Sequence, residues 1–264
     1  SLDNKKFFDL SIMSAGTNIL GYANDAINKS VISSLKNGNI STLNSFEEVL
    51  LAEKLISINP WAEKVLFSRT GGEANAIAVR LARAYTGKDK IAICGYHGWH
   101  DWYLAASKSN EKKIKKEQLP FYTSMGVPKS LLNSIIPFEY NNLSGLKKII
   151  SKNKDIGVIK MEVERNEKPK ANFLKEIRKI ATKNNIVLIF DECTTGFRET
   201  FGGIYKKYKV TPDIAIFGKA LGNGYPITAV VGKKDLMNMK EKTFISSTFW
   251  TERAGPVAAL KTLE

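Results

Sequence analysis

Short apolar runs that alternate with helical stretches are the feature that most constrains the fold of this chain. Apolar, β-branched-rich runs occupy 64–68, 90–94, 156–161, 186–190, 214–217 and 227–232. Apolar residues at helical spacing occupy 28–35, 45–58, 74–85, 143–150, 173–183 and 253–263. Alternation of strands and helices favours a mostly parallel sheet with helices on both faces. We therefore predict an α/β fold whose ligands bind beyond the carboxyl ends of the strands.

The length and composition of the chain are typical of a folded globular protein. Its 264 residues, 43% of them hydrophobic, can bury one sizeable core or two modest ones. We predict an entry segment with two helices over 1–60 and a main domain over 61–264. The sequence shows neither an apolar run of membrane-spanning length nor the apolar segment of a signal peptide, so we expect a cytoplasmic protein with free cysteines and no membrane partner.

The net charge of +14 raises the question of nucleic-acid binding. The lysines are scattered among asparagines and acids, without the aromatic-interleaved stripe of a nucleic-acid surface. The densest cluster, at 112–116, is typical of a solvated loop, and the surrounding stretch 106–136 is polar and aperiodic, as in a mobile active-site loop. We therefore predict no nucleic-acid partner and note that a basic surface also attracts anionic substrates.

Lys219 stands where a lysine is hard to justify structurally. It follows the apolar run 214–217, which predicts a strand buried on both faces. Gly218 and Gly222, on either side of Lys219, indicate that the strand ends there. Burial lowers the pKa of a lysine and frees its amine to attack a carbonyl and form a Schiff base. The alternative is a lysine that extends its ammonium into solvent from the end of the strand.

A glycine turn follows the first predicted strand. Thr70, Gly71 and Gly72 come between that strand and a predicted helix, so the free N–H groups at the helix start are suited to holding a phosphate. The alternative is an ordinary threonine N-cap in which the glycines only permit a tight turn. The turn has neither the Walker pattern nor the GxGxxG pattern.

Polar groups also follow three other predicted strands. Tyr96 begins an aromatic cluster that can stack on a flat ring, and it adjoins His97, one of the two histidines of the chain. The spacing of these histidines is a weak metal signal, so we predict no metal. Glu162 and Asp191 each end an apolar run, either as a structural cap or as a placed functional carboxylate. In a parallel sheet these groups, the glycine turn and Lys219 would meet at one edge.

A phosphate turn, a flat ring, a carboxylate and a Schiff-base lysine together are typical of a pyridoxal 5′-phosphate (PLP) site. Six motifs carry a resemblance to one family, and they occur in its order over nearly the whole chain. These motifs lie at 70–75, 80–87, 96–101, 190–198, 218–226 and 246–249. The chain resembles the class III aminotransferases of fold type I, within them the branch that contains glutamate-1-semialdehyde 2,1-aminomutase.

The resemblance implies a role for each matching residue. Lys219 matches the Schiff-base (aldimine) lysine and proton carrier, Asp191 the carboxylate on the pyridine nitrogen, and Tyr96 the ring stacked on the cofactor. Thr248 matches a threonine that reaches the phosphate of the neighbouring subunit, which implies a homodimer. The full set of residues expected to bind the cofactor is Thr70, Gly71, Gly72, Tyr96, His97, Glu162, Asp191, Thr194, Lys219 and Thr248.

Three residues depart from the family pattern, and the family's chains are longer than this one. The turn has Gly72 where the family often has threonine, Val163 replaces a usual proline after Glu162, and Thr194 replaces the glutamine of many ω-amino aminotransferases. The family's chains also extend beyond both ends of this one, so we expect 61–264 to be the PLP-binding large domain, with most of the small domain missing.

The resemblance implies three alternative functions. The first is an aminotransferase that moves an amino group between a small-molecule amino donor and a carbonyl acceptor. The second is an aminomutase, which moves nitrogen between adjacent carbons of one molecule. The third is a non-catalytic homologue that keeps the fold as a binding module.

Overall fold

The computed structural model of the chain describes residues 2–108 and 124–264. The basic cluster predicted at 112–116 lies outside these residues, as does about half of the predicted excursion at 106–136. No helix among the described residues is both long enough and apolar enough to cross a membrane.

Seven strands form one sheet. They are β1 (Lys64–Ser68), β2 (Lys90–Cys94), β3 (Ile135–Pro137), β4 (Ile156–Glu162), β5 (Val187–Asp191), β6 (Ile214–Phe217) and β7 (Thr228–Gly232). Their order is β1-β7-β6-β5-β4-β2-β3. Only β7 runs antiparallel to its neighbours, β1 and β6, so the other six strands end at the same edge. The predicted mostly parallel sheet is confirmed.

Helices and helical turns connect the strands. They are α1 (Met13–Gly16), α2 (Asp25–Leu35), α3 (Phe46–Ile58), α4 (Gly71–Thr86), α5 (Asp101–Leu104), α6 (Leu143–Lys152), α7 (Phe173–Lys183), α8 (Tyr205–Tyr208), α9 (Lys234–Met237) and α10 (Ala254–Thr262). One face of the sheet packs against α4 and α9, and the other packs against α3, α6 and α7. Helices therefore cover both faces, as predicted.

The alternating residues of each strand separate these two cores. In β5, Val187 and Ile189 belong to the core on the α4 face, whereas Leu188 and Phe190 belong to the core on the opposite face. Asp191 continues the first set, so its carboxylate points towards the α4 side at the end of the strand. The same alternation places Lys160 on the α4 face of β4, together with Val158.

The structure corrects the start of one predicted helix and adds one strand. Helix α2 begins at Asp25, three residues before the predicted start, because the Asn24 side chain accepts hydrogen bonds from the N–H groups of Ala26 and Ile27. Strand β3 was not predicted. It lies at the edge of the sheet and ends in Pro137. Because it has only three residues, it is too short to show an alternating pattern.

Candidate active site

The carboxyl ends of four adjacent strands bring predicted site residues together. Along β6, β5, β4 and β2 these are Lys219, Asp191, Glu162 and the pair Tyr96 and His97. Asp191 pairs with Glu162 on one side and with Ile216 on the other. The prediction that residues from separate strands meet at one edge is therefore confirmed, whereas the role of each residue stays a prediction.

Lys219 lies one residue beyond β6, at the start of a 3-10 turn over Lys219–Gly222. Its Nζ donates a hydrogen bond to Thr194 Oγ1 at 3.0 Å. The side chain is only partly withdrawn from solvent, although β6 itself is fully buried. Its backbone has φ +47°, a left-handed conformation that residues with a side chain rarely adopt. The amine is therefore accessible and positioned by a hydroxyl group.

His97 forms a hydrogen bond with the Asp191 carboxylate. The carboxylate oxygen Oδ2 lies 2.9 Å from His97 Nδ1, and the other ring nitrogen, Nε2, lies 3.2 Å from the carbonyl oxygen of Cys94. Burial alone would raise the pKa of Asp191. The positive charge of Lys160 and the hydrogen bond from His97 outweigh burial and hold that pKa well below its usual range. Asp191 is therefore a buried carboxylate that stays ionised.

Lys160 is a member of this cluster that the sequence reasoning missed. Its side chain is 0% exposed, and its Nζ lies 3.8 Å from Asp191 Oδ2. Within the part of the chain that the structure describes, this amine has no hydrogen-bond partner. A charged residue inside the otherwise apolar run of a predicted strand was the signal that could have identified it.

Glu162 connects β4 to the loop after β2. Its Oε2 accepts a hydrogen bond from the Tyr96 N–H at 2.9 Å and lies 3.4 Å from Arg165 Nη1. Burial raises the pKa of this carboxyl to about 7. A Cβ atom on Gly95, where φ is +103°, would lie 2.5 Å from the same oxygen, so the contact requires glycine at that position.

The ring of Tyr96 is partly exposed at this edge. The Arg165 guanidinium lies 5.7 Å from the ring centroid, and the Tyr103 ring packs edge-on against Tyr96 with a centroid distance of 6.1 Å. Arg165 was also not predicted, since it lies in a polar stretch with no pattern around it. These contacts fix the orientation of the Tyr96 ring, on which a flat ligand can stack.

The glycine turn lies at the start of α4 and contacts the loop after β2. Thr70 is the N-cap, and it forms a capping box in which its side chain accepts the Glu73 N–H while the Glu73 carboxylate accepts the Thr70 N–H. The N–H groups of Gly71 and Gly72 remain for an anion. A Cβ on Gly98 would lie 3.3 Å from the Cα of Gly72, so the loop after β2 packs directly on this turn.

Thr248 is exposed on the loop before α10. Arg69 binds this loop through the carbonyl groups of Phe249 and Trp250 and through an ion pair with Glu252 at 3.3 Å. Among the described residues no hydrogen bond joins the Thr248 side chain to the cluster. The structure therefore places nine of the ten predicted residues around one edge of the sheet and leaves Thr248 on the surface.

No group of three or more histidine, cysteine, aspartate or glutamate side chains in the described ranges is arranged to hold a metal ion. Cys94 and Cys193 are free thiols. Burial raises the pKa of the Cys193 thiol well above its usual range, so this thiol stays protonated. The groups that meet at this edge therefore include an amine, carboxylates and the start of a helix.

Known proteins resemble this chain in sequence and in fold. It is 39% identical to a 3-aminobutyryl-CoA aminotransferase of Cloacimonas acidaminovorans over 272 residues, which cover 100% of this chain and 61% of that protein. It is also 39% identical to a glutamate-1-semialdehyde 2,1-aminomutase of Sulfolobus acidocaldarius over 273 residues, which cover 99% of this chain and 63% of that protein. The chain thus spans somewhat more than half the length of these relatives.

The fold matches that of solved transaminases. An omega-transaminase from Sphaerobacter thermophilus has a TM-score of 0.86 and 29% identity over 96% of this chain and 60% of its own. A transaminase with PLP bound also has a TM-score of 0.86, with 22% identity, which supports the fold alone. The predicted fold type I architecture is therefore confirmed.

The family model of the class III aminotransferases matches residues 1–264. The named relatives are aminotransferases and aminomutases, so the predictions of an enzyme and of PLP as its cofactor are confirmed at the level of the family. The chain belongs to the class III aminotransferase family.

Proposed function

We propose that the full-length protein is a PLP-dependent aminotransferase that moves an amino group from an amino donor to a carbonyl acceptor, with Lys219 as the lysine that binds the cofactor. The position of Lys219 carries this proposal. Its amine is accessible at the end of β6, one strand from the ionised Asp191 at the end of β5. A left-handed backbone at a residue with a long side chain is a strain that functional sites retain.

The residues present fit PLP. The start of α4 offers the N–H groups of Gly71 and Gly72 to a phosphate, and the helix dipole adds to their attraction for an anion. Thr70 already caps α4 with its side-chain oxygen, so its hydroxyl has a structural duty beside any contact with phosphate. Tyr96 presents a partly exposed ring, and Asp191 presents a carboxylate to a ring nitrogen.

When bound, PLP supplies a conjugated ring that stabilises negative charge on the substrate carbon. The protein's own residues hold that ring and move protons. Asp191 would supply the negative charge that keeps a ring nitrogen protonated, and His97 fixes the direction of its carboxylate through the 2.9 Å hydrogen bond. Thr194 orients the Lys219 amine, which is the group placed to take up and return the substrate proton.

Glu162 is suited to a supporting role at the substrate side. It fixes the backbone of Tyr96 through the N–H group, and the Lys219 amine is close enough to lower its pKa, against the larger effect of burial. A carboxyl group with a pKa of about 7 can hold or release a proton under working conditions. Glu162 therefore adjusts the net charge around Lys219 as protons move.

We also propose a homodimer in which Thr248 contacts the cofactor phosphate of the partner subunit. Two features support it: the Thr248 side chain is exposed, and large apolar side chains near it and on the N-terminal helices are exposed as well. These apolar side chains are Leu43, Phe46, Val49, Phe244 and Phe249. The cytoplasmic location and the boundary between 1–60 and 61–264 stay predictions.

Covalent trapping tests the role of Lys219. The full-length protein is loaded with PLP, reduced with borohydride and mapped by mass spectrometry. The label should lie on Lys219, Lys219→Ala should carry none, and the surface variant Lys234→Ala should label like the native protein. Labelling on another lysine, or unchanged labelling of Lys219→Ala, would overturn the assignment.

An aminomutase is the second candidate, and the two named relatives favour neither function because both are 39% identical to this chain. Incubation of the full-length protein with glutamate-1-semialdehyde and no other amino compound separates the two. Rapid formation of 5-aminolevulinate would replace the aminotransferase proposal. Amino transfer only when a separate donor and acceptor are present would support it. A non-catalytic homologue predicts damaged motifs, whereas Lys219, Asp191 and Tyr96 are all present.

A further inference from the structure

Lys160 lies in the middle of the central sheet, where a lysine has no structural reason to be. Its neighbours across the strands are Ile93 of β2 and Ile189 of β5, and its side chain is completely buried on the α4 face. A buried charge needs a compensating partner, and an apolar side chain of similar volume would fill this position at lower cost. The position therefore points to a function of the charge itself.

The compensating partner is Asp191, and Asp191 has a second partner. Lys160 Nζ lies 3.8 Å from Asp191 Oδ2, and His97 Nδ1 lies 2.9 Å from the same oxygen. Two basic groups therefore converge on one buried carboxylate oxygen. A trio of this kind is neutral when only one of the two basic groups is protonated, and an extra buried charge is disfavoured.

The proton belongs on Lys160. Burial lowers the pKa of both basic groups and the charge of Asp191 opposes this effect in both, so the ordinary pKa of lysine, which lies far above that of histidine, decides. Burial and then the charge of Lys160 lower the pKa of His97 to about 4. A neutral His97 that donates from Nδ1 to Asp191 has no proton left on Nε2 for the carbonyl group of Cys94, 3.2 Å away.

Other titratable groups surround the trio on every side. They are Glu162 on β4, Glu192 and Cys193 after β5, Lys219 after β6, and Tyr103, whose ring packs edge-on against His97. Burial raises the pKa of both Glu162 and Glu192 to about 7, so these two carboxyl groups titrate near neutrality. The pH profile of activity therefore reports on them too, and a measurement specific to His97 is needed.

We propose that Lys160 is a positioning residue whose ammonium fixes Asp191 as a carboxylate and His97 as a neutral imidazole. The net charge of the trio Lys160, Asp191 and His97 then stays constant while Glu162 and Glu192 gain or lose protons. The link to the cofactor rests on the proposed function, because only there does Asp191 face a ring nitrogen. The assignment of charges within the trio does not depend on it.

The first test uses the apoprotein of the full-length chain, labelled with 15N-histidine and followed by NMR. A His100→Gln background leaves His97 as the only histidine of the 264 residues, and the signal that a further His97→Gln substitution removes is that of His97. At pH 5.5 we expect a neutral imidazole in the native protein. In Lys160→Met the midpoint of the His97 titration should move upward by at least one pH unit, because the competing charge is gone and the ring can then donate to both Asp191 and Cys94.

Two further variants keep this test decisive. Lys160→Arg retains the charge and should keep His97 neutral at pH 5.5, and the surface substitution Lys148→Met should leave the titration unchanged. If Lys160→Met does not fold, Lys160→Gln removes the charge with a polar side chain. An unchanged His97 midpoint in a folded neutral variant, or a protonated His97 at pH 5.5 in the native protein, would overturn the proposal.

The second test connects the trio to the bound cofactor. The visible spectrum of the PLP-loaded protein is followed as a function of pH, and its midpoint should shift in Lys160→Met and return in Lys160→Arg. If the NMR result holds and this midpoint does not shift, the trio has no influence on the cofactor and the positioning role is wrong. Failure of the Lys219 labelling would instead remove the proposed function and leave the NMR result standing.

Discussion

Asp191 and Asp213 are two buried carboxylates at opposite ends of the same sheet. Asp213 lies just before β6 and is held by Arg178 Nη1 at 2.7 Å, Lys233 Nζ at 2.6 Å and the Leu188 N–H at 2.9 Å. Asp191 ends β5 and has His97 Nδ1 at 2.9 Å, Lys160 Nζ at 3.8 Å and the Cys193 N–H at 3.2 Å. Burial opposes ionisation at both sites, yet the pKa of each carboxyl is lowered.

The difference lies in how completely each carboxylate is satisfied. Asp213 joins β5, α7 and the residue after β7 through close contacts, and its two basic partners reach solvent, with the Lys233 side chain 51% exposed. The two basic partners of Asp191 are completely buried, and one of them, Lys160, is too distant for a hydrogen bond. At the amino-terminal edge of the sheet, the Asp213 carboxylate thus links neighbouring elements of the fold. At the carboxyl-terminal edge, the Asp191 carboxylate can still accept a hydrogen bond from a further partner.

The largest effect that separates the two edges is expected for Asp191→Asn. The amide keeps an acceptor for His97 but removes the charge from the candidate active site. We expect kcat/KM with the best amino donor to fall by about 10³-fold, which corresponds to about 4 kcal/mol of transition-state stabilisation. The measurement is the rate of cofactor conversion to the amine form in the full-length protein, corrected for the PLP-loaded fraction. A loss below tenfold would contradict the role of Asp191.

Most of the fold could be predicted from the sequence because local patterns determine it. The boundaries of β1, β2, β6 and α7 agree with the predictions, since apolar runs and helical periodicity begin and end sharply there. The missed strand β3 depends on pairing with β2, which no pattern in three residues reveals. Short edge strands are set by tertiary contacts instead of local composition.

The candidate site was predictable only where a residue ends a strand. Lys219, Asp191 and Glu162 follow apolar runs, so their convergence at one edge follows from the parallel sheet. Lys160 lies within a run, and its relation to Asp191 depends on which face of β4 it occupies and on the strand order. Sequence shows that a lysine interrupts an apolar segment but not which carboxylate it meets.

The next largest effect concerns Glu192, which adjoins Asp191 and is 0% exposed. Its carboxyl contacts the Thr195 hydroxyl and accepts the Tyr205 N–H, and burial raises its pKa from 4.5 to about 7. Between these pH values the folded state binds the proton and the unfolded state does not. The free energy of unfolding therefore falls as the pH rises, by about 3 kcal/mol for this group.

Glu192→Gln imitates the protonated carboxyl and should remove that part of the pH dependence. Urea unfolding at pH 5 and pH 8 measures it, with the exposed substitution Glu53→Gln as the control. We expect the native protein and the control to lose more stability between the two pH values than Glu192→Gln does. Equal losses in all three proteins would show that Glu192 ionises in the folded state without cost.

The smallest effect is expected for Asp213→Asn, which alters the other edge. Asparagine can still accept the Leu188 N–H but loses both ion pairs, and because the partners are partly exposed we expect a cost of about 1–2 kcal/mol in the free energy of unfolding at pH 7. The folded-state pKa of Asp213 is lowered, so its contribution is complete above the ordinary value of 3.8 and is lost as the pH falls through the folded-state pKa. The difference from the native protein should therefore shrink below about pH 4. Lys233→Ala, which removes only the exposed partner, should cost less than Asp213→Asn. The activity of Asp213→Asn per folded molecule should equal that of the native protein. A fall in kcat/KM at unchanged stability would show that the amino-terminal edge of the sheet also contributes to catalysis.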